Sequence, residues 1–276
     1  MPRFRMTIAY DGTAYAGWQR QPNRPTIQQT IEDALARLTS SPVAVHACGR
    51  TDAGVHARAQ VAHFDLPDAL PPVARDGSPL PAAPRRPPRP AALQYALNAI
   101  LPPDIRILRL ARADPSFHAR YDALWKEYRY TLWNAPVLPP HLRHTVLHVP
   151  KPRLDLPAMR AAAALLVGRR DFAAFSANPH RETDGTVRTL LALRIAARGP
   201  LVTISASGDG FLYKMVRSLA GHLLRVGKGR IPAAETAAIL ASRTRTARVE
   251  TAPARALSLH AIHYPPPPAL RRPPAP

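Results

Sequence analysis

The sequence predicts an α+β fold in which two ferredoxin-like βαββαβ halves form one extended, mainly antiparallel sheet, with helices on one side and a central cleft. Three observations carry this. Apolar and polar residues alternate strictly near the start of the chain and again around residue 130. Each alternating run is followed by the same succession of helix, two strands, helix and strand, a repeat of element order and not of residues. And 276 residues with 46% hydrophobic content suffice for a sizeable core.

Arg3 to Tyr10 places Phe4, Met6, Ile8 and Tyr10 on one face and Arg3, Arg5, Thr7 and Ala9 on the other, which is a strand closed by the Asp11-Gly12 turn. Thr26 can cap a helix with Gln29 three residues later, and Ile27, Ile31, Ala34, Leu35 and Leu38 recur at helical spacing. Val43, Val45 and Ala47 suggest a short strand, and Ala59 to Asp65 another. Residues 71–90 are dominated by Pro, Ala and Arg and read as an exposed, semi-rigid excursion whose arginines can touch RNA phosphate or be a neutral insertion. Leu93, Leu97, Ile100 and Leu101 mark a helix and Ile105 to Leu110 a strand, completing a first half over residues 1–111.

The second half is expected over 112–265. Leu124 to Trp133 is its clearest strand, with Lys126, Tyr128, Tyr130 and Leu132 on one face. Asp155 can cap an Ala-rich helix ending at Gly168, and Leu190–Ala196 and Leu201–Ser207 form a pair around Arg198-Gly199-Pro200. Leu212, Met215, Val216, Leu219 and Leu223 define a helix, Ala233 to Ser242 an additional short one, and Leu257 to Tyr264 the last strand. A disordered Pro/Arg-rich tail is expected over 266–276.

Thirty-eight basic residues against 18 acidic ones leave a formal charge of +20, so the surface attracts a polyanion, with nucleic acid favoured over a general compositional bias. No amphipathic basic helix points to a membrane surface, and no apolar run has the length of a bilayer. The single cysteine, Cys48, excludes an internal disulfide and a multi-cysteine zinc site, and with no apolar leader at the start the expectation is a cytoplasmic protein.

Cys48-Gly49-Arg50-Thr51-Asp52-Ala53-Gly54-Val55-His56-Ala57 concentrates chemistry in one turn-like segment. Its glycines allow Asp52 to be presented on a tight loop, and Arg50 can keep that carboxylate ionised if the two side chains meet. Such a carboxylate serves as nucleophile, base or metal ligand, or merely bonds its own backbone in a turn. His56 and His63 suggest a metal only if a third ligand exists, and none is obvious. Asp11 reads as structural within its turn, and Cys48 as a small buried residue.

Gly49 to Ala57, with Gln60-Val61-Ala62-His63-Phe64 after it, closely resembles the active-site signature of the tRNA pseudouridine synthase A family. Tyr10-Asp11-Gly12-Thr13-Ala14-Tyr15-Ala16-Gly17-Trp18-Gln19, Phe117-His118-Ala119-Arg120-Tyr121, Lys126-Glu127-Tyr128-Arg129-Tyr130 and Met215-Val216-Arg217 resemble its other motifs, in the same order. The resemblance implies isomerisation of uridine to pseudouridine in the anticodon stem-loop of tRNA, with no cofactor and no metal. It makes Asp52 the nucleophile, Arg217 its partner, Tyr128 the residue against the base and Arg50 the side chain that fills the space left by the flipped nucleotide. Arg50, Tyr128, His56 and Gln60 are the candidates for substrate contact. It further implies a homodimer that holds tRNA jointly. A base-flipping N-glycosylase would use the same carboxylate but release free uracil, and a non-catalytic RNA-binding protein would make no product.

Overall fold

The computed structural model describes residues 1–68, 88–181 and 184–266. Most of the expected Pro-rich excursion and the tail from residue 267 lie outside them. In chain order the elements are β1 (Arg3–Tyr10), α1 (Ile27–Thr39), β2 (His46–Ala47), β3 (His56–Asp65), α2 (Pro90–Ile100), β4 (Ile105–Ala113) and β5 (Trp125–Trp133). There follow β6 (Leu147–His148), α3 (Leu156–Leu166), β7 (Gly168–Asp171), β8 (Val187–Arg198), β9 (Leu201–Gly208), α4 (Met215–Gly227), α5 (Glu235–Ala241) and β10 (Leu257–His263). All described strands join one sheet in the order β4-β1-β3-β10-β5-β9-β8-β7, with β2 added on β3 and β6 on β5.

The alternating runs behave as their spacing dictates. Phe4, Met6, Ile8 and Tyr10 are buried on β1, Tyr128, Tyr130 and Leu132 on β5, and Val202, Ile204 and Ala206 on β9. On α1 the apolar stripe Ile27, Ile31 and Leu35 is fully buried, each side chain contributing about 1.5–3 kcal/mol of burial. The Thr26 hydroxyl accepts the Gln29 N–H, and Asp155 accepts the Ala158 N–H at the start of α3; each cap is worth about 1 kcal/mol. Pro90, at the end of the expected excursion, is instead the first residue of α2, where its missing N–H costs nothing.

Departures from expectation have local causes. Val43 and Val45 are buried without joining the sheet, and β2 is reduced to two residues paired with β3. β3 begins at His56, inside the signature, so the loop that carries Asp52 ends sooner than the alternation suggested. β7, sequence Gly-Arg-Arg-Asp, lies at the sheet edge and has no apolar alternation to betray it. α4 starts at Met215 and not at Leu212, because Lys214 takes a left-handed conformation, φ 58°, and turns the chain into the helix. At the opposite edge Gln94 and Asn98 of α2 bond the Ile107 and Leu108 backbone, so helix side chains occupy part of the open side of β4.

β3 and β10 are neighbours near the middle of the sheet. They run parallel and share only the pairs Ser258↔His56 and Leu259↔Ala57. The loop between β2 and β3, the first turn of α4 and the buried face of β5 therefore converge beside this seam.

Candidate active site

Residues 48–55 leave β2 and return into β3 as a loop held along its whole length. The Cys48 N–H donates to the Val61 carbonyl at 2.8 Å, and the Gln60 side-chain amide donates to the Gly49 carbonyl at 2.8 Å. Trp18 N–H reaches the Thr51 carbonyl at 3.0 Å, while the Thr51 hydroxyl pairs with the Tyr10 hydroxyl at 2.8 Å. Val55 N–H closes a turn on the Asp52 carbonyl at 3.1 Å, and Gly54, at φ 75°, supplies the left-handed residue that the turn needs.

Asp52 stands on this loop with its side chain about a quarter exposed. Its partner is Arg217, from the first turn of α4, whose Nη1 donates to Asp52 Oδ2 at 2.9 Å. The Arg217 Nε also donates to the Ala252 carbonyl at 2.8 Å, and the Ala252 N–H donates back to the Arg217 carbonyl at 3.1 Å. The guanidinium is thus fixed from two sides, and one fork orients the carboxylate. Arg50 does not take that place: it is exposed and, among the described residues, bonds to nothing. The carboxylate's partner thus comes from 165 residues further along the chain, where the resemblance put it, and Arg50, the alternative by proximity, does not meet Asp52.

Tyr128 is buried on β5, its ring meeting Phe211 edge-on at 5.2 Å between centroids. Burial raises its phenol strongly, and the nearby Tyr10, Cys48 and Asp52 add to that, so the hydroxyl stays protonated. Among the described residues that hydroxyl makes no hydrogen bond, whereas Tyr10, pushed up to about 12 by its own burial, is tied to Thr51. A phenol packed on Phe211 with a free donor, near a fixed carboxylate, can stack on a planar base and exchange a proton with it.

Gln60 and His56 lie under the loop and not on its surface. Gln60 is fully buried, with its amide on Gly49 and its oxygen on the Val61 N–H. His56 accepts the Gly12 N–H on Nδ1 and directs Nε2 at the carbonyls of His144 and Arg255, both at 2.9 Å. It thereby joins the β1 turn, the β5–β6 connection and the approach to β10. Asp11 keeps its own turn, as expected: burial alone would raise its carboxyl, but the Thr13 hydroxyl and N–H bonds, aided by His56 and His144, bring it below the usual range. Cys48 is fully buried, and burial raises its thiol despite the opposing Lys126 charge. Among the described residues no group of three or more His, Cys, Asp or Glu side chains is placed to hold a metal ion.

Three contributors escaped the reading of the residues. Gly12 and Gly17 lie directly against the loop: a Cβ on Gly17, itself at φ 99°, would stand 2.5 Å from the Thr51 carbonyl oxygen. Their only signal was that glycine recurs in the Tyr10–Gln19 motif. Lys126, two residues before Tyr128, donates to the Cys48 carbonyl at 3.4 Å, next to Gly49.

The profile of the family described as tRNA pseudouridine synthase matches residues 6–122 and 162–265. The chain is 44% identical over 267 residues to a tRNA pseudouridine synthase A of Chlamydia felis, covering 97% of this chain and 93% of the relative. It is also 44% identical to one from Solidesulfovibrio magneticus, over 96% of this chain and 92% of the relative, and 38% identical to one from Methylacidiphilum infernorum, over 95% and 96%. No helix among the described residues is long and apolar enough to cross a membrane. With the matched segments spanning both the Asp52 loop and the α4 turn that carries Arg217, the chain belongs to the tRNA pseudouridine synthase family.

Proposed function

We propose that this chain isomerises uridine to pseudouridine in the anticodon stem-loop of tRNA, with Asp52 as the nucleophile. The observation that carries the proposal is the 2.9 Å contact from Arg217 to Asp52, made by a guanidinium whose other fork is already anchored on Ala252. The reaction breaks the bond between N1 of the base and C1′ of the ribose, rotates the base and joins C5 to C1′; C5 gives up its proton and the freed N1 takes one up. Atoms balance without a co-reactant. Asp52 attacks the anomeric carbon or the base and leaves again at the end. Arg217 holds the carboxylate in the attacking geometry, Tyr128 lies against the base and assists loss of the C5 proton, and the unpaired Arg50 takes the space of the flipped nucleotide. The +20 charge supports binding of the tRNA backbone.

In the same reading residues 1–111 and 112–265 are the two halves that flank the site, and the enzyme works in the cytoplasm as a homodimer, which light scattering of the purified protein checks. The decisive experiment incubates wild type and Asp52→Asn with unmodified tRNA and maps the modified nucleosides. Pseudouridine in the anticodon stem-loop from wild type alone, with tRNA binding retained by the variant, is the expected result. Free uracil would replace the isomerase by a glycosylase, and binding lost in step with activity would remove Asp52 from the chemistry.

A further inference from the structure

The Phe117–Tyr121 motif, between β4 and β5, takes no part in the chemistry above, yet it is held by bonds to distant parts of the chain. Arg3 donates to the Phe117 carbonyl at 2.8 Å, the Ala119 N–H donates to His63 Nδ1 at 3.1 Å, and the Tyr264 hydroxyl donates to the Ala119 carbonyl at 2.6 Å. His118 bonds Asp122 through its own N–H and accepts the N–H groups of both Arg120 and Tyr121 on Nδ1. The product of all these bonds is an aromatic ring held out in water. Tyr121 is 75% exposed, stacked on His118 at 4.3 Å and 29° between planes, with the Arg120 guanidinium 5.8 Å from its centroid.

The segment that carries this ring rests on β3 beside the strand that enters the catalytic loop: Ala119 bonds His63, and His63 pairs with His46, two residues before Cys48. Lys126 in turn donates to the Cys48 carbonyl at 3.4 Å. Cys48 is followed directly by Gly49-Arg50-Thr51-Asp52. A preordered aromatic face with a cation beside it is what an RNA base requires, because every base offers a π-face and brings a phosphate with it.

We propose that Tyr121, backed by His118, is a stacking platform for a nucleobase neighbouring the target uridine in the same tRNA strand, with Arg120 and Lys126 meeting the phosphates on either side. The proposal rests on the tRNA reading above. Its test measures binding of an anticodon stem-loop carrying 2-aminopurine next to the target uridine, in an Asp52→Asn background that prevents turnover. Tyr121→Ala is expected to weaken binding by about 5- to 150-fold and to abolish stacking-dependent quenching, while Tyr121→Phe preserves both. Arg120→Ala and Lys126→Ala should each lower the slope of log affinity against log salt by roughly 0.7–0.9, and Tyr121→Ala should leave it unchanged.

Equal affinity and quenching for Tyr121→Ala and its parent, with wild type forming pseudouridine on the same RNA, would overturn the platform alone. Unchanged affinity together with an altered oligomeric state would overturn it in favour of a protein contact. Absence of pseudouridine from wild type would overturn the function and the platform together. Because Tyr121 is exposed, its substitution should leave thermal unfolding unchanged, so a loss of affinity reports on the RNA.

Discussion

Gly12 lies so near Val55 that a Cβ on it would stand 2.1 Å from the Val55 carbonyl oxygen and 2.7 Å from its carbon. The β1 turn and the catalytic loop are therefore in backbone contact, and the loop cannot move without the turn. Gly12→Ala should cost about 1–3 kcal/mol of stability through overpacking, and depress turnover further by displacing Asp52. Denaturant midpoints and single-turnover rates measure the two effects. A variant with an unchanged rate would show that the contact is not needed to place Asp52.

Arg217 makes two bonds to two acceptors with one planar group, which an ammonium cannot copy. Arg217→Lys should thus lose about 100-fold in kcat, of the order found when one preorganised donor is removed, with KM for tRNA much less affected. Arg217→Ala should be worse, since it also frees the Ala252 segment. A rise in KM alone would make Arg217 a binding residue.

The Tyr128 hydroxyl bonds to no described residue, so its removal breaks nothing in the free protein. Tyr128→Phe should unfold at the wild-type midpoint and yet turn over about 100-fold more slowly or worse, if its proton takes part in the reaction. Wild-type kcat would reduce Tyr128 to a stacking surface.

Two histidines make stability depend on pH. Burial lowers His63 to about 4, helped by His118, Arg3 and His46 and opposed by Asp65, and burial with Arg225 lowers His222 to about 4. Both are neutral when folded but titrate near 6.5 when unfolded, so the unfolded chain binds more protons between those values. Their stabilisation is complete above about 6.5 and is lost as pH falls to about 4, at about 1.4 kcal/mol per pH unit for each proton. His222→Gln, which can still bond Thr236, should flatten the fall by one proton in denaturation series between pH 4 and 7. An unaltered slope would assign the acid sensitivity to other groups.

Arg245 bonds the Ser176 carbonyl, the Ser218 hydroxyl and the Thr251 hydroxyl, and so ties the segment before Ala252 to the residue after Arg217. Arg245→Ala should lower kcat about 10-fold by loosening the Asp52 partner, with KM retained. An unchanged kcat would show that α4 alone sets the position of Arg217.

What the chain disclosed in advance follows from the range of the forces concerned. Arg3 to Tyr10 and Lys126 to Leu132 were legible because a half-buried strand writes period two into its own residues, and Thr26 and Asp155 because a cap acts within three residues. β7 was not, since an edge strand of Gly, Arg, Arg and Asp owes its pairing to Val187–Leu190 and not to its own pattern. The loop around Asp52 could be seen from its glycines and its charge. Spacing alone gave Asp52 no partner other than the adjacent Arg50, and the partner it has, Arg217, is brought by the fold from 165 residues away. Gln60 and His56, polar and close to Asp52 in sequence, turned inward to hold the loop from below.

The two-pair seam between β3 and β10 orders events during synthesis. Among the described strands, β4, β1, β3 and β2 meet β5 to β9 only through β10, whose residues are translated some 200 positions after β3. A nascent chain can form the β1–β3–β4 unit early, but its sheet joins β5, β9, β8 and β7 only once residues 257–263 have left the ribosome. Competence therefore arrives late and all at once, and a chain interrupted before Leu257 would expose the unpaired edges of β3 and β5 to whatever strand it meets first.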